Sequence, residues 1–124
     1  MNLTNFPVLI SLASDADLAD STQNTGEDIV FTDYNGIQLP HEIEYYNHTN
    51  GHLIAWINVT ALSDTTDTIL YLYYGNLGCE NQENSADTWG SHYRVVHHLS
   101  ETTGLHYDSS IYGNNGTYYN PEGG

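Results

Sequence analysis

Positive charge is almost absent from this 124-residue sequence, which has no lysine and a single arginine, Arg94. Its 16 aspartates and glutamates leave a formal net charge of −15 at neutral pH. Nucleic-acid affinity depends on lysines and arginines that neutralise phosphates and release counterions. Docking on an anionic membrane surface needs the same clustered cations. We therefore exclude a nucleic-acid binder and expect no docking on anionic membranes.

Cysteine and long apolar runs are also scarce. Cys79 is the single cysteine, so it is a buried small residue, or it pairs with another chain or with a missing domain. No apolar stretch approaches the roughly 20 residues of a transmembrane helix, so we expect no membrane insertion. The first residues have neither the basic nor the apolar segment of a secretion signal. If the chain is exported, we expect it to be a mature or excised segment.

The residues that are abundant favour β-structure. Threonine and asparagine occur 13 times each, glycine and tyrosine 11 times each, and serine nine times. Threonine and tyrosine suit half-buried strands, whereas asparagine and glycine suit turns. The length suits one domain with a single core. The composition therefore predicts an all-β protein that is secreted or surface-exposed.

Apolar residues alternate with a period of two along most of the chain, which predicts strands. The predicted strands cover residues 6–12, 28–32, 41–46, 52–59, 68–74, 92–99 and 117–119. Residues 14–20 are the one predicted helical turn, and Asn50-Gly51 predicts a hairpin. The strand at 68–74 is apolar on both faces, so we expect it to be central. This spacing predicts an antiparallel, jelly-roll-like β-sandwich over residues 1–99, followed by an extended polar tail over 100–124.

The order of these segments resembles a known family. The matching stretches are residues 3–10, 15–19, 28–33, 39–46, 53–56, 69–76 and 81–84, followed by Trp89. They are similar to a domain of unknown function that recurs in archaeal, notably methanogen, and bacterial cell-surface proteins. Residues 96–99, 107–110 and 113–117 resemble the opening of the concanavalin/laminin-G-like lectin domain that commonly follows it.

The resemblance implies an extracellular location on a cell surface but no established activity. Family members usually begin with a further strand carrying an aromatic-x-Tyr-Arg pattern, which this sequence does not contain. The lectin-like segment extends over only about its first strand, so the resemblance carries over no sugar or calcium site.

From these features we expect a non-catalytic structural module: a surface or adhesive protein, or a filament subunit. The predicted assembly is a homo-oligomer formed by strand exchange, because the sandwich lacks one strand and the tail lacks a core of its own. The residues predicted to contact the next subunit are Tyr107, Ile111, Tyr112, Tyr118 and Tyr119. The alternative is that the sequence is a piece of a longer protein that supplies the missing strand itself.

Two other functions stay open. A carbohydrate-binding module would use Trp56, Trp89 and tyrosines as a stacking platform, although these aromatic residues also suit a core. A glycoside-processing enzyme would use Glu42 and Glu44, which are two apart on one strand. Solvated carboxylates on an outer face explain the same pair, so we predict no catalytic residues.

Asn-x-Ser/Thr sequons predict covalent glycans. They begin at Asn2, Asn47, Asn58 and Asn115. We predict no metal-ligating residues and no cofactor. One structural Ca²⁺ on Asp15, Asp17 and Asp20 is the open alternative, because hard cations prefer oxygen ligands.

Overall fold

In a computed structural model, which describes residues 1–119, antiparallel strands make up most of the regular structure. The strands in these residues are β1 (Leu3–Leu12), β2 (Val30–Asp33), β3 (Gln38–Leu39), β4 (His41–Asn47), β5 (His52–Leu62), β6 (Leu70–Tyr73), β7 (Leu105–His106) and β8 (Gly116–Thr117). The helices are α1 (Ala16–Ser21) and α2 (Ser85–Trp89), with a short 3-10 turn at Gly90–His92. Neither helix has the length and apolar character needed to cross a bilayer.

The chain forms two compact units that divide between Thr88 and Trp89, whereas we had placed the boundary after Leu99. The first unit holds β1 to β6, and the second holds β7 and β8. The predicted strand at 92–99 is absent: the described backbone there forms no ladder. The predicted strand at 117–119 is β8, which is shorter and begins one residue earlier.

The first sheet has the strand order β1-β5-β4. β1 and β5 pair in one constant register from Leu3 opposite Leu62 to Leu12 opposite Leu53, with Asn5 left out of the pairing. The alternation predicted for β5 is confirmed, because one face is buried and the other is partly exposed. The buried face consists of Leu53, Ala55, Ile57 and Val59.

The second sheet has the order β3-β2-β6, so β6 is an edge strand and not the central strand that we expected. Leu70 and Leu72 are half-buried, whereas Tyr71 and Tyr73 on the opposite face are exposed. A tyrosine is apolar enough to resemble a core residue in a sequence pattern, yet its hydroxyl tolerates solvent.

Apolar side chains from both sheets form one core, which confirms the all-β sandwich. Its buried members are Leu18, Ile29, Phe31, Leu39, Leu53, Ala55, Ile57 and Val59. Burial of each leucine, isoleucine, valine or phenylalanine side chain in this set contributes about 1.5–3 kcal/mol relative to an exposed side chain. Leu18 reaches the core from the predicted helical turn, whose first turn is capped by Asp15 through a 3.0 Å bond from the amide of Leu18.

Pro40 separates β3 in the second sheet from β4 in the first. One continuous stretch of chain therefore passes from sheet to sheet, which places the β3 and β4 edges on the same side of the sandwich. β1 and β6 are the other two edge strands.

Candidate functional site: an open sheet edge and a neighbouring cleft

The β4 edge of the first sheet is covered by the chain itself. Asn84 donates its backbone N–H to the carbonyl of His41 at 2.9 Å. The carboxylate of Glu83 accepts the N–H of Ile43 at 2.6 Å. These bonds occupy backbone groups that a further strand would need, so the His41 to Ile43 stretch of β4 is closed to strand addition.

The β1 edge is open. Among residues 1–119, β5 is the one strand that pairs with β1. The inward-facing side chains of β1 pack against the core but are only half-buried, and they are Val8, Ile10 and Leu12. Pro7 has no N–H, so the stretch of β1 that can build a continuous ladder begins at Val8.

A second edge strand also leaves apolar side chains partly uncovered. Leu70 and Leu72 of β6 are half-buried against the core. An extended segment with alternating apolar residues has the pattern needed to cover the half-buried side chains of β1 while it pairs with the β1 backbone.

A cleft with a volume of about 650 Å³ lies at one end of the sandwich. Leu39, Val59 and Leu70 supply apolar lining, and Tyr34 and Tyr71 add aromatic rings. Ala61, Leu62 and Ile69 add further apolar lining, and the polar lining residues are Asn2, Asp33, Asn35, Thr60, Ser63, Thr66, Asp67 and Thr68. This volume is within the range of roughly 300–1,000 Å³ found for small-molecule sites.

The two glutamates of the enzyme alternative lie on the outer face of the first sheet. Glu42 is opposite Trp56 in the β4–β5 ladder, and a bulge follows at Glu44. Glu42 is only 5% exposed, so it is not the solvated carboxylate that we expected. Glu44 accepts the indole N–H of Trp56 at 2.7 Å. This bond orients the half-buried indole and occupies its single donor.

Neither tryptophan forms an open stacking platform. Trp56 is half-buried, and Trp89 is 6% exposed. Within the second unit, Trp89 packs edge-on against Tyr93, with ring centroids 5.4 Å apart. Trp89 is therefore a core residue, which was the alternative to a carbohydrate-stacking platform. The exposed aromatic residues near the cleft are Tyr34 and Tyr71 instead.

His41 is a buried titratable group in the first unit. It is 1% exposed, and neither ring nitrogen has a hydrogen-bond partner among the described residues. Burial lowers the pKa of His41 below its ordinary value, and the charge of Glu83 opposes this only in part. The imidazole is therefore neutral in the folded protein at neutral pH.

The sequon asparagines differ in how their side chains are used. Asn58 donates its amide to the carbonyl oxygens of Asp87 and Thr88, at 2.9 and 3.3 Å. Asn2, Asn47 and Asn115 instead use the side-chain oxygen as an acceptor of a backbone N–H. Asn2 and Asn115 are exposed and Asn47 is half-buried. The nitrogen that carries a glycan makes no hydrogen bond to a described residue at these three sites.

The predicted subunit-contact residues lie in the second unit, which is more ordered than the extended tail that we expected. The hydroxyl of Tyr112 donates to the carbonyl of Ser91 at 3.0 Å, and its ring lies 4.4 Å from the guanidinium of Arg94. The other four side chains are largely exposed, and they are Tyr107, Ile111, Tyr118 and Tyr119.

Asp108 organises this unit. Its carboxylate accepts the backbone N–H groups of Val96, Ser110 and Asn114 and the hydroxyl of Ser110. Partial burial raises the pKa of Asp108, but these hydrogen bonds outweigh it and hold the pKa far below its ordinary value. The carboxylate therefore stays ionised and connects two segments of the unit.

The described residues contain no group of three histidine, cysteine or acidic side chains placed to hold a metal ion. Asp15 caps α1, and Asp17 and Asp20 are exposed on that helix. Cys79 is half-buried, and its carbonyl accepts the side-chain amide of Gln23 at 3.0 Å.

Sequence reasoning expected an unpaired sheet edge but did not assign it to β1, and it missed the covering of β4 by residues 83–84 and the cleft with Tyr34 and Tyr71. One signal was available for the last of these. The alternation Leu70-Tyr71-Leu72-Tyr73 separates aliphatic from aromatic residues, which is the pattern of a strand with one exposed aromatic face.

Comparison with known proteins gives a family but no activity. No curated protein and no solved structure matches the chain. A family described as "Domain of unknown function (DUF2341)" matches residues 25–117. The match includes residues 96–117, which we had compared with the opening of a lectin-like domain. Because the match covers more than half of the sequence, the chain belongs to the DUF2341 family.

Proposed function

We propose that this chain is a non-catalytic, extracellular structural module that joins its neighbours by strand addition at the open β1 edge. The assembly is a surface layer, an adhesive structure or a filament of repeated copies. The observation that carries the proposal is the contrast between the two edges of one sheet: β4 is covered by residues 83–84, and β1 is uncovered along residues 8–12.

The physical argument is the cost of an open edge. An unpaired strand attracts other strands, and proteins that remain monomeric usually shorten, charge or cover it. β1 has ten residues, and none of them is charged. Its exposed Leu9 and half-buried Ile10 therefore favour pairing. A strand added by each chain to the next forms a head-to-tail contact, which grows into a fibre unless it closes into a ring.

The donor strand of the proposal comes from a neighbouring copy, and the tail after Gly104 is the candidate. It would have to leave the second unit, where the Asp108 carboxylate accepts the N–H of Val96 and the N–H of Ser109 donates to the carbonyl of Val96. Tyr107 and Ile111 are among its exposed apolar residues. We expect the exchange to require release of this carboxylate network.

Two matched lysine variants test the β1 edge. Leu9 and Tyr45 are on opposite edge strands of the same sheet and are 46% and 45% exposed. Leu9→Lys places a charge on the open edge, where lysine opposes strand addition. Tyr45→Lys adds the same charge on β4, the edge strand whose first residues are covered. We expect Leu9→Lys to abolish assembly in light scattering and electron microscopy, and Tyr45→Lys to preserve it.

Hydrogen exchange of the backbone amides provides the direct measurement. In assembled wild-type material, amides of residues 8–12 that face away from β5 should exchange slowly, and they should exchange fast in the Leu9→Lys monomer. Fast exchange of these amides in the assembly, or a wild-type chain that stays monomeric at high concentration, would contradict the proposal.

A further inference from the structure

The cleft at the end of the sandwich has the features of a ligand site separate from the β1 edge. We propose that it binds oligosaccharides that are neutral or carry amino groups, with Tyr34 and Tyr71 as the stacking residues. This inference does not depend on strand addition, because it uses a different part of the first unit.

The two tyrosines supply flat, exposed apolar surface. Tyr34 is 71% exposed and Tyr71 is 47% exposed, and both line the cleft. A sugar ring has an apolar face of C–H groups and an edge of hydroxyls. Aromatic rings therefore contact the face while neighbouring polar groups bind the edge, which is the division of roles typical of amphipathic aromatic side chains.

Polar groups at the cleft are available for the hydroxyl edge. The side chains of Asn35 and Asp67 make no hydrogen bond to any residue that the structure describes, and both line the cleft. An amide offers both donors and an acceptor, and a carboxylate offers strong acceptors. Together they match the donor and acceptor capacity of a sugar hydroxyl.

The loops that carry these groups are held in place by their own hydrogen bonds. Asp33 accepts the N–H groups of Asn35 and Ile37, both at 2.9 Å, and so fixes the turn that presents Tyr34. The hydroxyl of Ser63 accepts the N–H groups of Thr65 and Thr66, both at 3.1 Å. A site built on such loops binds with less ordering cost.

The negative charge of the cleft restricts the class of ligand that it can bind. Asp33 and Asp67 line the cleft, and its lining contains no lysine, arginine or histidine. A phosphate or an acidic sugar would bring its negative charge close to these two carboxylates, which costs free energy. A neutral sugar has no such electrostatic cost, and the positively charged ammonium group of an amino sugar is attracted by the two carboxylates.

The test is a titration of the isotope-labelled 124-residue chain with three sets of hexasaccharides. The neutral set contains hexamers of glucose, mannose, xylose and N-acetylglucosamine, the cationic probe is the glucosamine hexamer, and the anionic probe is the galacturonate hexamer. We expect at least one neutral or cationic hexamer to shift the amide resonances of residues 33–35 and 63–71, and the anionic hexamer to shift none.

Single substitutions then locate the contact. Tyr71→Ala and Tyr34→Ala should each weaken binding about fivefold, as expected for loss of one stacking contact. Tyr45→Ala removes an equally exposed tyrosine elsewhere in the same unit and should leave the affinity unchanged. Because Tyr34 lies at the tip of an exposed turn, its variant keeps the test valid if Tyr71→Ala unfolds.

Three results would overturn the inference. The first is that no neutral or cationic hexamer shifts any amide resonance at about 10 mM, because the dissociation constant would then be well above that concentration. The second is binding that both tyrosine variants leave intact. The third is equal binding of the galacturonate hexamer, because the charge argument would then be wrong.

Discussion

The imidazole of His41 packs edge-on against the ring of Phe31 from the other sheet, with ring centroids 5.4 Å apart. Phe31 offers an apolar surface and no hydrogen-bond acceptor of ordinary strength. His41 is thus held neutral between two sheets, next to the covered β4 edge.

This arrangement predicts a loss of stability in mild acid. The pKa of folded His41 lies below its ordinary value of 6.5. Below pH 6.5 the unfolded chain therefore binds a proton that the folded chain excludes. The free energy of unfolding should fall with decreasing pH, by up to about 1.4 kcal/mol per pH unit from this group.

Urea unfolding of wild type and His41→Leu between pH 7 and pH 5 measures the effect. The leucine variant should lose less stability over this range, because it cannot take up the proton. His92→Gln, at an exposed histidine, is the control and should behave as wild type does. Equal pH dependence of wild type and His41→Leu would contradict the assignment.

A second prediction concerns the β4–β5 hairpin. Gly51 has φ +67°, and a Cβ placed on it would overlap the carbonyl oxygen of Asp15. Gly36 has φ +82°, but a Cβ there meets nothing within 4 Å. Gly36→Ala should cost about 1–2 kcal/mol from left-handed backbone strain alone. Gly51→Ala should cost about 1–3 kcal/mol more, because the packed chain must also move.

The denaturation midpoints of Gly36→Ala and Gly51→Ala should be compared. Because both variants share the backbone strain, the difference between them measures the cost of the steric overlap at Gly51. Equal destabilisation would mean that the contact between Gly51 and Asp15 is not part of the folded protein in solution.

A third prediction concerns Asp108 in the second unit. Asp108→Asn keeps the size of the side chain but removes its charge and one acceptor oxygen. We expect a loss of about 1–3 kcal/mol, the usual cost of losing hydrogen bonds to a charged group. Hydrogen exchange at the amides of Val96 and Asn114 should accelerate, and exchange in β5 should not.

The same group predicts acid sensitivity of the second unit. Its pKa is lowered in the folded protein, so its stabilising effect is present above the ordinary pKa near 3.8 and is lost as pH falls below it. Asp20→Asn removes a charge from an exposed carboxylate of α1 and is the control for Asp108→Asn. This control should leave amide exchange at Val96 unchanged. Faster exchange in that control would point to net charge as the cause.

A fourth prediction separates the sequons. A glycan on Asn58 would replace one of the two N–H hydrogens of its side-chain amide, so at most one of its two bonds to the carbonyl oxygens of Asp87 and Thr88 could remain. The side-chain nitrogen of Asn115 makes no such bond to a described residue. We therefore expect glycopeptide mass spectrometry of native material to find sugar at Asn115 and unmodified peptide at Asn58. Sugar at Asn58 would show that the full pair of bonds is dispensable, and an unmodified Asn115 would contradict the prediction directly.

Several features could be predicted because neighbouring residues determine them. The alternation of Leu53, Ala55, Ile57 and Val59 specifies one buried face of a strand, whatever the strand pairs with. Asn50-Gly51 specifies the hairpin, since glycine readily adopts the left-handed backbone of the turn. Asp15 is placed to cap a helix that begins one residue later.

Other features depend on which segments meet, and local patterns do not contain that information. The position of β6 at an edge follows from its pairing with β2, about 40 residues earlier in the chain. Burial of His41 and Glu42 and the covering of β4 by Glu83 follow from contacts between segments distant in the sequence. The alternating sequence pattern of a strand is the same whether the strand lies in the centre of a sheet or at its edge.

The sequence alone thus determined the all-β class, the large negative charge and most strand positions, because these depend on composition and on side chains two residues apart. The tertiary structure decided which edge is open, where the cleft lies and which tyrosines border it. Those properties depend on long-range pairing, in which each contact is favourable only after the chain has closed the loop between its partners.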